Sequence, residues 1–301
     1  MEGLLKDSLE VKAISPLEEM LAYETLWSID GMTEAKLSNL FKEYDDFPSA
    51  VLNKCRQQNL FDTGEPYSEL KEKVYEYLKP KLGKFSIVVN RDFQYPIELR
   101  HAKHPIELFY YKGNLDLLKT RCVSIVGARK ASENGKTRAT RLSKELCGEG
   151  FTVVSGLALG IDTAAQTSAI SNDGKTIGVI GTPIDQYYPK ENRELQDTIA
   201  ERFLLISQVP FYRYSKEPFS NHKFHFPRRN VTMASISEAT VIVEASDTSG
   251  SLTQARACIS QNKKLFILDS CFKNPKIKWP KSYEEQGAIR VQKTSDILDN
   301  L

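Results

Sequence analysis

CVSIVGARKASENGKTRATRLSKELCGEGFTVVSGLALGIDTAAQ, residues 122–166, carries the fold. CVSIV is an unbroken apolar run that stops at Gly127. A polar turn with Arg129 follows, and 135–148 reads as helix. FTVVSG (151–156) repeats the pattern, with a second helical stretch over 160–171. Strands that are apolar throughout, not alternating, are buried on both faces, and helices between them make the sheet parallel.

The same alternation extends outward. FSIVVN (85–90), KTIGVIG (175–181), LLISQ (204–208), ATVIVEA (239–245) and KLFILD (264–269) read as further strands. Gly or Ser closes several of them and helices follow at once, which predicts an α/β fold: an extended Rossmann-like, doubly wound, mainly parallel sheet. Residues 17–60 differ in character. Leu17, Met20, Leu21 and Leu26 fall at near-helical spacing, Asp30-Gly31 breaks the chain, and Leu37, Leu40 and Phe41 form a second stripe. We therefore expect a small all-helical N-terminal domain over 1–82 and the Rossmann-like domain over 83–301.

A chain of 301 residues with net charge +2 is an ordinary globular protein and no polycation, so a polyanion site must come from local clustering of Lys and Arg. Its five cysteines, Cys55, Cys122, Cys147, Cys258 and Cys271, form no CxxC pair, which argues against a disulfide framework or zinc site and fits a reducing cytoplasm. MEGLLKDSLE has no apolar core of a signal peptide, and no apolar run approaches membrane-spanning length.

Four segments carry candidate chemistry. In VSIVGARK, Gly127 admits a close ligand, the following helix start offers free N–H groups, and Arg129 and Lys130 can meet a phosphate; the plain alternative is a tight strand-to-helix turn. In VVSGLALGID, Ser155, Gly156 and Gly160 form a second small-residue loop, and Asp162 reads better as a cap than as a catalytic acid. Gly156 and Gly160 lie four apart, which is not the dinucleotide fingerprint. FYRYSKEPFSNHKFHFPRRN (211–230) interleaves six aromatics with Arg213, Lys216, Lys223, Arg228 and Arg229, a pattern suited to single-stranded nucleic acid, although about half of these rings are expected in the core. EASDTSGSLTQ (244–254) opens another helix at Ser249-Gly250-Ser251. His101, His104, His222 and His225 have no cysteine or carboxylate at metal spacing, and neither GxxxxGK[ST] nor GxSxG occurs, so no catalytic residue, metal or cofactor is assigned.

Together VGAR, SGLALGIDTAAQ, GKTIGVIG with YYPKEN, FHFPRRN and VIVEASDTSGSL occur in an order that resembles the DNA-processing protein A (DprA/Smf) family, over roughly 85–295. YPIELRHAKHPIELFYYKGNLDLL looks like that family's lead-in, and the N-terminal helices resemble its SAM-like domain; its C-terminal winged helix has no counterpart before Leu301. The resemblance implies single-stranded DNA binding, a homodimer, and loading of a RecA-type recombinase during natural transformation. Its DNA contacts carry over to Gly127 and Arg129, to Lys223, Phe226, Arg229 and Asn230, and to Ser155, Gly156 and Gly160, with Lys130 and Arg228 as neighbouring cations. Gln166, Gln208, Val231 and Gln254 stand where the family pattern differs, which leaves room for a mobile-element or defence role. The alternative is a sensor of a nucleotide or nucleotide-derived ligand; a nucleotide hydrolase ranks third for want of a base, nucleophile or metal cluster. The helical segment is expected to be accessory, so that deleting residues 1–80 leaves most DNA affinity intact.

Overall fold

The computed structural model describes residues 14–61, 66–100 and 105–301. His101, His104 and the acidic N-terminus lie outside the described residues. Four helices lead: α1 (Pro16–Ser28), α2 (Glu34–Tyr44), α3 (Pro48–Gln57) and α4 (Tyr67–Leu78). Ser15 caps α1 and Thr33 caps α2 through side-chain oxygens that accept backbone N–H bonds.

The strands are β1 (Ser86–Val89), β2 (Leu108–Gly113), β3 (Cys122–Val126), β4 (Thr152–Ser155), β5 (Lys175–Ile180), β6 (Leu204–Ser207), β7 (Ala239–Ile242), β8 (Lys264–Leu268) and β9 (Ile289–Val291). They form one sheet in the order β1-β2-β6-β5-β4-β3-β7-β8-β9. From β6 to β9 every pairing is parallel, while β1–β2 and β2–β6 are antiparallel. The mainly parallel α/β sheet is therefore as the sequence predicts. β2 and β9 are additions that the sequence reading did not single out.

Between the strands run α5 (Ile97–Arg100), α6 (Glu133–Gly148), α7 (Ile161–Ser171), α8 (Arg193–Arg202), α9 (Phe211–Lys216), α10 (His225–Ile236) and α11 (Ser251–Ser260). Alternate residues of the central strands enter two cores. Val123, Ile125 and Val153 join α6 and α7, whereas Val126, Val154 and Ile242 join α10 and α11 on the other face. That second core continues without a break into the N-terminal helices, uniting Leu26, Phe41 and Val74 with Leu205 and Phe211. Glu24 of α1 is buried there, accepting from Tyr110 Oη at 2.5 Å and from the backbone N–H of Phe211 and Tyr212 at 2.7 and 3.0 Å. The helical segment is thus packed into the sheet.

Candidate nucleic-acid interface

β3 and β7 are neighbours, yet the chain leaves them toward opposite faces, into α6 and α11. At such a switch point the loops diverge beyond the carboxyl ends of the strands and leave a crevice. Here it is a cleft of about 1100 Å³, walled by the loop after β3, the start of α6, the inner face of α10, residues 244–251, and the segment after β8.

The β3 loop is held from beneath by Glu244. Its carboxylate accepts from Ser132 N at 2.9 Å and Ser132 Oγ at 2.6 Å, and Ser132 Oγ in turn accepts from Gly135 N at 3.0 Å to cap α6. Ala128 N donates to the Glu244 carbonyl at 2.7 Å. Two glycines let this loop meet its neighbour. A methyl at Gly127 would collide with Ile161 and the Glu244 carbonyl, and one at Gly160, where φ is +82°, with the carbonyls of Ala128 and Arg129. Both glycines thus serve the contact between two loops of the protein.

Below the loops lie two buried charged side chains, Arg229 and Asp162. Arg229 is 6% exposed; its Nη1 donates to the Gly156 carbonyl at 2.5 Å and the Val179 carbonyl at 2.7 Å, and its Nε donates to Asn230 Oδ1 at 3.0 Å. Burial pulls its pKa down to about 10, against the opposing pull of Asp162. Asp162, equally buried, accepts from Gly156 N at 3.0 Å. Burial raises its carboxyl, and the Arg229 charge and loop N–H groups restrain the rise. Gly156 has no side chain because one would overlap the Arg229 guanidinium. Ser155 is buried too, its Oγ donating to the Ile125 carbonyl at 2.7 Å. Arg229 and Asn230 line the cleft, but their polar atoms are largely engaged within the protein; Asn230 Nδ2 reaches the Gly250 carbonyl at 3.2 Å.

Free charge stands on the walls. Arg129 and Lys130 are exposed and line the cleft with Arg138 and Lys276, and among the described residues none of the four has an ion-pair partner. The Arg129 guanidinium lies 5.4 Å from the centre of the Phe226 ring. That ring is half-buried against Gly181 and 5.2 Å from Tyr188. The arrangement offers an aromatic edge beneath a cation, where a base and its phosphate can be met together.

The remaining candidates lie elsewhere. Lys223 is exposed in the 3₁₀ turn Phe219–Phe224, with Nζ 5.3 Å from the Phe224 ring, and does not line the cleft. Arg228 turns toward the N-terminal helices, its Nε 3.2 Å from Glu34 Oε2. Of the six aromatics, Phe211 and Tyr214 are buried, whereas Phe219 and Phe224 are 85% and 56% exposed. Arg138 and Lys276 were not singled out by the sequence, where only the short basic run NPKIK hints at Lys276; Tyr188 and Glu244 fall within the quoted YYPKEN and EASDTSGSLTQ segments, without the supporting roles seen here. Of Gln166, Gln208, Val231 and Gln254, the last reaches the cleft wall, as does Ser270 of LDS, where the family strand ends in PG. Gln166 is buried against β5, donating to the Ile177 carbonyl at 3.3 Å, and Gln208 accepts from the Thr232 hydroxyl. No helix among the described residues is long and apolar enough to cross a membrane, and none of them form a group of three potential metal ligands.

Comparison with known proteins agrees with this architecture. The sequence profile of DNA recombination-mediator protein A matches residues 86–301. DNA processing protein DprA of Streptococcus pneumoniae is 34% identical over 249 residues, covering 83% of this chain and 84% of that protein. Its Bacillus subtilis counterpart is 34% identical over 209 residues, covering 69% of this chain and 68% of that protein. The X-ray structure of DprA from S. pneumoniae superposes with a TM-score of 0.77 at 30% identity, over 93% of this chain and 97% of that one. A structure of DNA processing protein A from Helicobacter pylori, described for its single-stranded DNA binding mode, gives 0.62 at 27% identity, over 72% of this chain and 95% of that one. The chain belongs to the DNA recombination-mediator protein A family, that of the DNA processing protein DprA.

Proposed function

We propose that this protein binds single-stranded DNA without sequence preference in the cleft at the β3–β7 switch point, acting as a non-catalytic mediator. The observation that carries the reading is the set of unpaired cations, Arg129, Lys130, Arg138 and Lys276, around one cleft with the Phe226 ring under Arg129. A cleft of about 1100 Å³, at the upper end of the range for small-molecule sites, has room for more than one nucleotide. The relatives' role in DNA processing, and the single-stranded DNA binding of the H. pylori protein, support the same assignment. Delivery of the strand to a RecA-type recombinase during DNA uptake, by a homodimer in the cytoplasm, is the proposed physiological setting.

The test is binding to fluorescent oligothymidine over a range of salt concentrations. Three to five phosphate contacts, each contributing roughly −0.7, give a log–log slope between about −2 and −3.5. Binding indifferent to oligonucleotide length and abolished by a mononucleotide at low concentration would instead identify a nucleotide sensor.

A further inference from the structure

Segment 211–229 contributes Phe226 and Arg229 to the cleft, and one flank of it is fastened to the N-terminal helices. Arg213 Nη1 donates to the carbonyls of Trp27 and Met32, at 2.8 Å each. The guanidinium of Arg213 lies 5.4 Å from the Trp27 ring centre, and that of Arg228 lies 5.6 Å from the same ring. Arg228 also pairs with Glu34 at 3.2 Å. Glu217 closes the network, 2.7 Å from Arg213 Nε and 2.9 Å from His225 Nε2. One indole on α1 therefore meets a cation from α9 and a cation from α10, with a carboxylate from α2 behind the second.

Helix periodicity links this flank to the cleft. His225 and Arg228 share one side of α10, while Phe226, Arg229 and Asn230 lie on the side facing the cleft, so a shift that releases the first set also moves the second. The side chain of Arg228 is committed to Glu34 and Trp27, and reaching a phosphate would mean leaving both.

We propose that Trp27 and Glu34 are positioning residues for the DNA cleft: through Arg213 and Arg228 the N-terminal helices brace α10 and so hold Phe226 in place at the cleft, without touching DNA themselves. This rests on the single-stranded DNA reading of the cleft.

The test uses the full chain and fluorescent oligothymidine at several salt concentrations, with unfolding followed in parallel. Glu34→Gln removes a negative charge near a polyanion site, so a bystander carboxylate would leave affinity unchanged or raise it. The brace requires the opposite: affinity lower by about twofold to fivefold, with the salt slope unchanged because no phosphate contact is lost. Trp27→Leu should weaken binding by about threefold to tenfold at the same slope; if that variant does not fold, the surface pair decides alone. Arg228→Met should likewise keep the wild-type slope, and a slope shallower by about 0.7 would make Arg228 a phosphate contact and overturn the brace. The double variant Glu34→Gln/Arg228→Met should bind no worse than the weaker single variant, since both remove one interaction; additive losses would overturn it. Failure of the wild type to bind oligothymidine would remove the DNA reading itself, whereas wild-type binding with Glu34→Gln unchanged or tighter would remove only the brace.

Discussion

Gly156 shows how a residue that looks ligand-facing in sequence is set by its protein neighbour. Its carbonyl and the space above its Cα belong to Arg229, which it meets at 2.5 Å through Nη1. Gly156→Ala is expected to push that guanidinium off its two carbonyls, costing about 1–3 kcal/mol for buried groups left without their hydrogen bonds. Arg229→Ala leaves the same two carbonyls without their donor and removes a positive charge that favours the buried Asp162 carboxylate, and should cost a similar amount. Because both changes remove the same Arg229 contacts, the double variant should be scarcely less stable than either single one by urea unfolding, and simple additivity would show that the two sites act separately. Arg129 and Phe226 belong to a different class, being open to solvent on one side. Arg129→Ala should make the salt slope of oligothymidine binding shallower by about 0.7. Phe226→Ala should lower affinity by roughly 1–3 kcal/mol with the slope unchanged, as loss of a stacking face does.

The loop after β3 depends on β7 for its shape, and Glu244 is the link. Glu244→Ala removes a negative charge from the cleft wall, which by charge alone would favour DNA. It also releases Ser132, frees the loop bearing Arg129 and Lys130, and weakens the cap of α6, a loss of about 1 kcal/mol in stability. Weaker binding with a lower unfolding midpoint is therefore expected, and tighter binding would show that the loop needs no such support. The central strands were legible because burial on both faces leaves unbroken apolar runs such as CVSIV and KTIGVI. β2 and β9 were not: LFYYKG pairs antiparallel on both sides and mixes polar with apolar residues, and IRV is three residues long. In the site, the glycines marked close approach, but sequence does not say what approaches, and at Gly127, Gly156 and Gly160 it is another part of the chain. For the same reason Arg228 and Arg229 looked equivalent as adjacent cations, whereas the helix sends one toward Glu34 and the other into the floor of the cleft.

Across the whole molecule, the N-terminal helices share their core with the sheet, so a chain beginning at residue 83 would uncover Tyr110 and Phe211. Such a truncation is expected to lose cooperative unfolding and to bind a hydrophobic dye, in place of the DNA-competent fragment that an accessory domain would leave. Glu24 sits at the centre of that union. Burial raises its pKa from 4.5 to about 7, although Tyr110 and the N–H groups of Phe211 and Tyr212 favour the charged form. A carboxyl raised on folding binds its proton more tightly in the native state. Its contribution is fully present below the unfolded value near 4.5 and is lost as pH rises through about 7. A shift of that size corresponds to about 3 kcal/mol across the window. Glu24→Gln keeps an oxygen for the two backbone donors and cannot titrate. The stability of the wild type minus that of Glu24→Gln, from urea unfolding at intervals between pH 5 and 8, should therefore fall by about 3 kcal/mol as pH increases, while every other titrating group cancels from the difference. A difference that stays level across this range would mean that the Glu24 carboxylate is as well accommodated in the folded protein as in water.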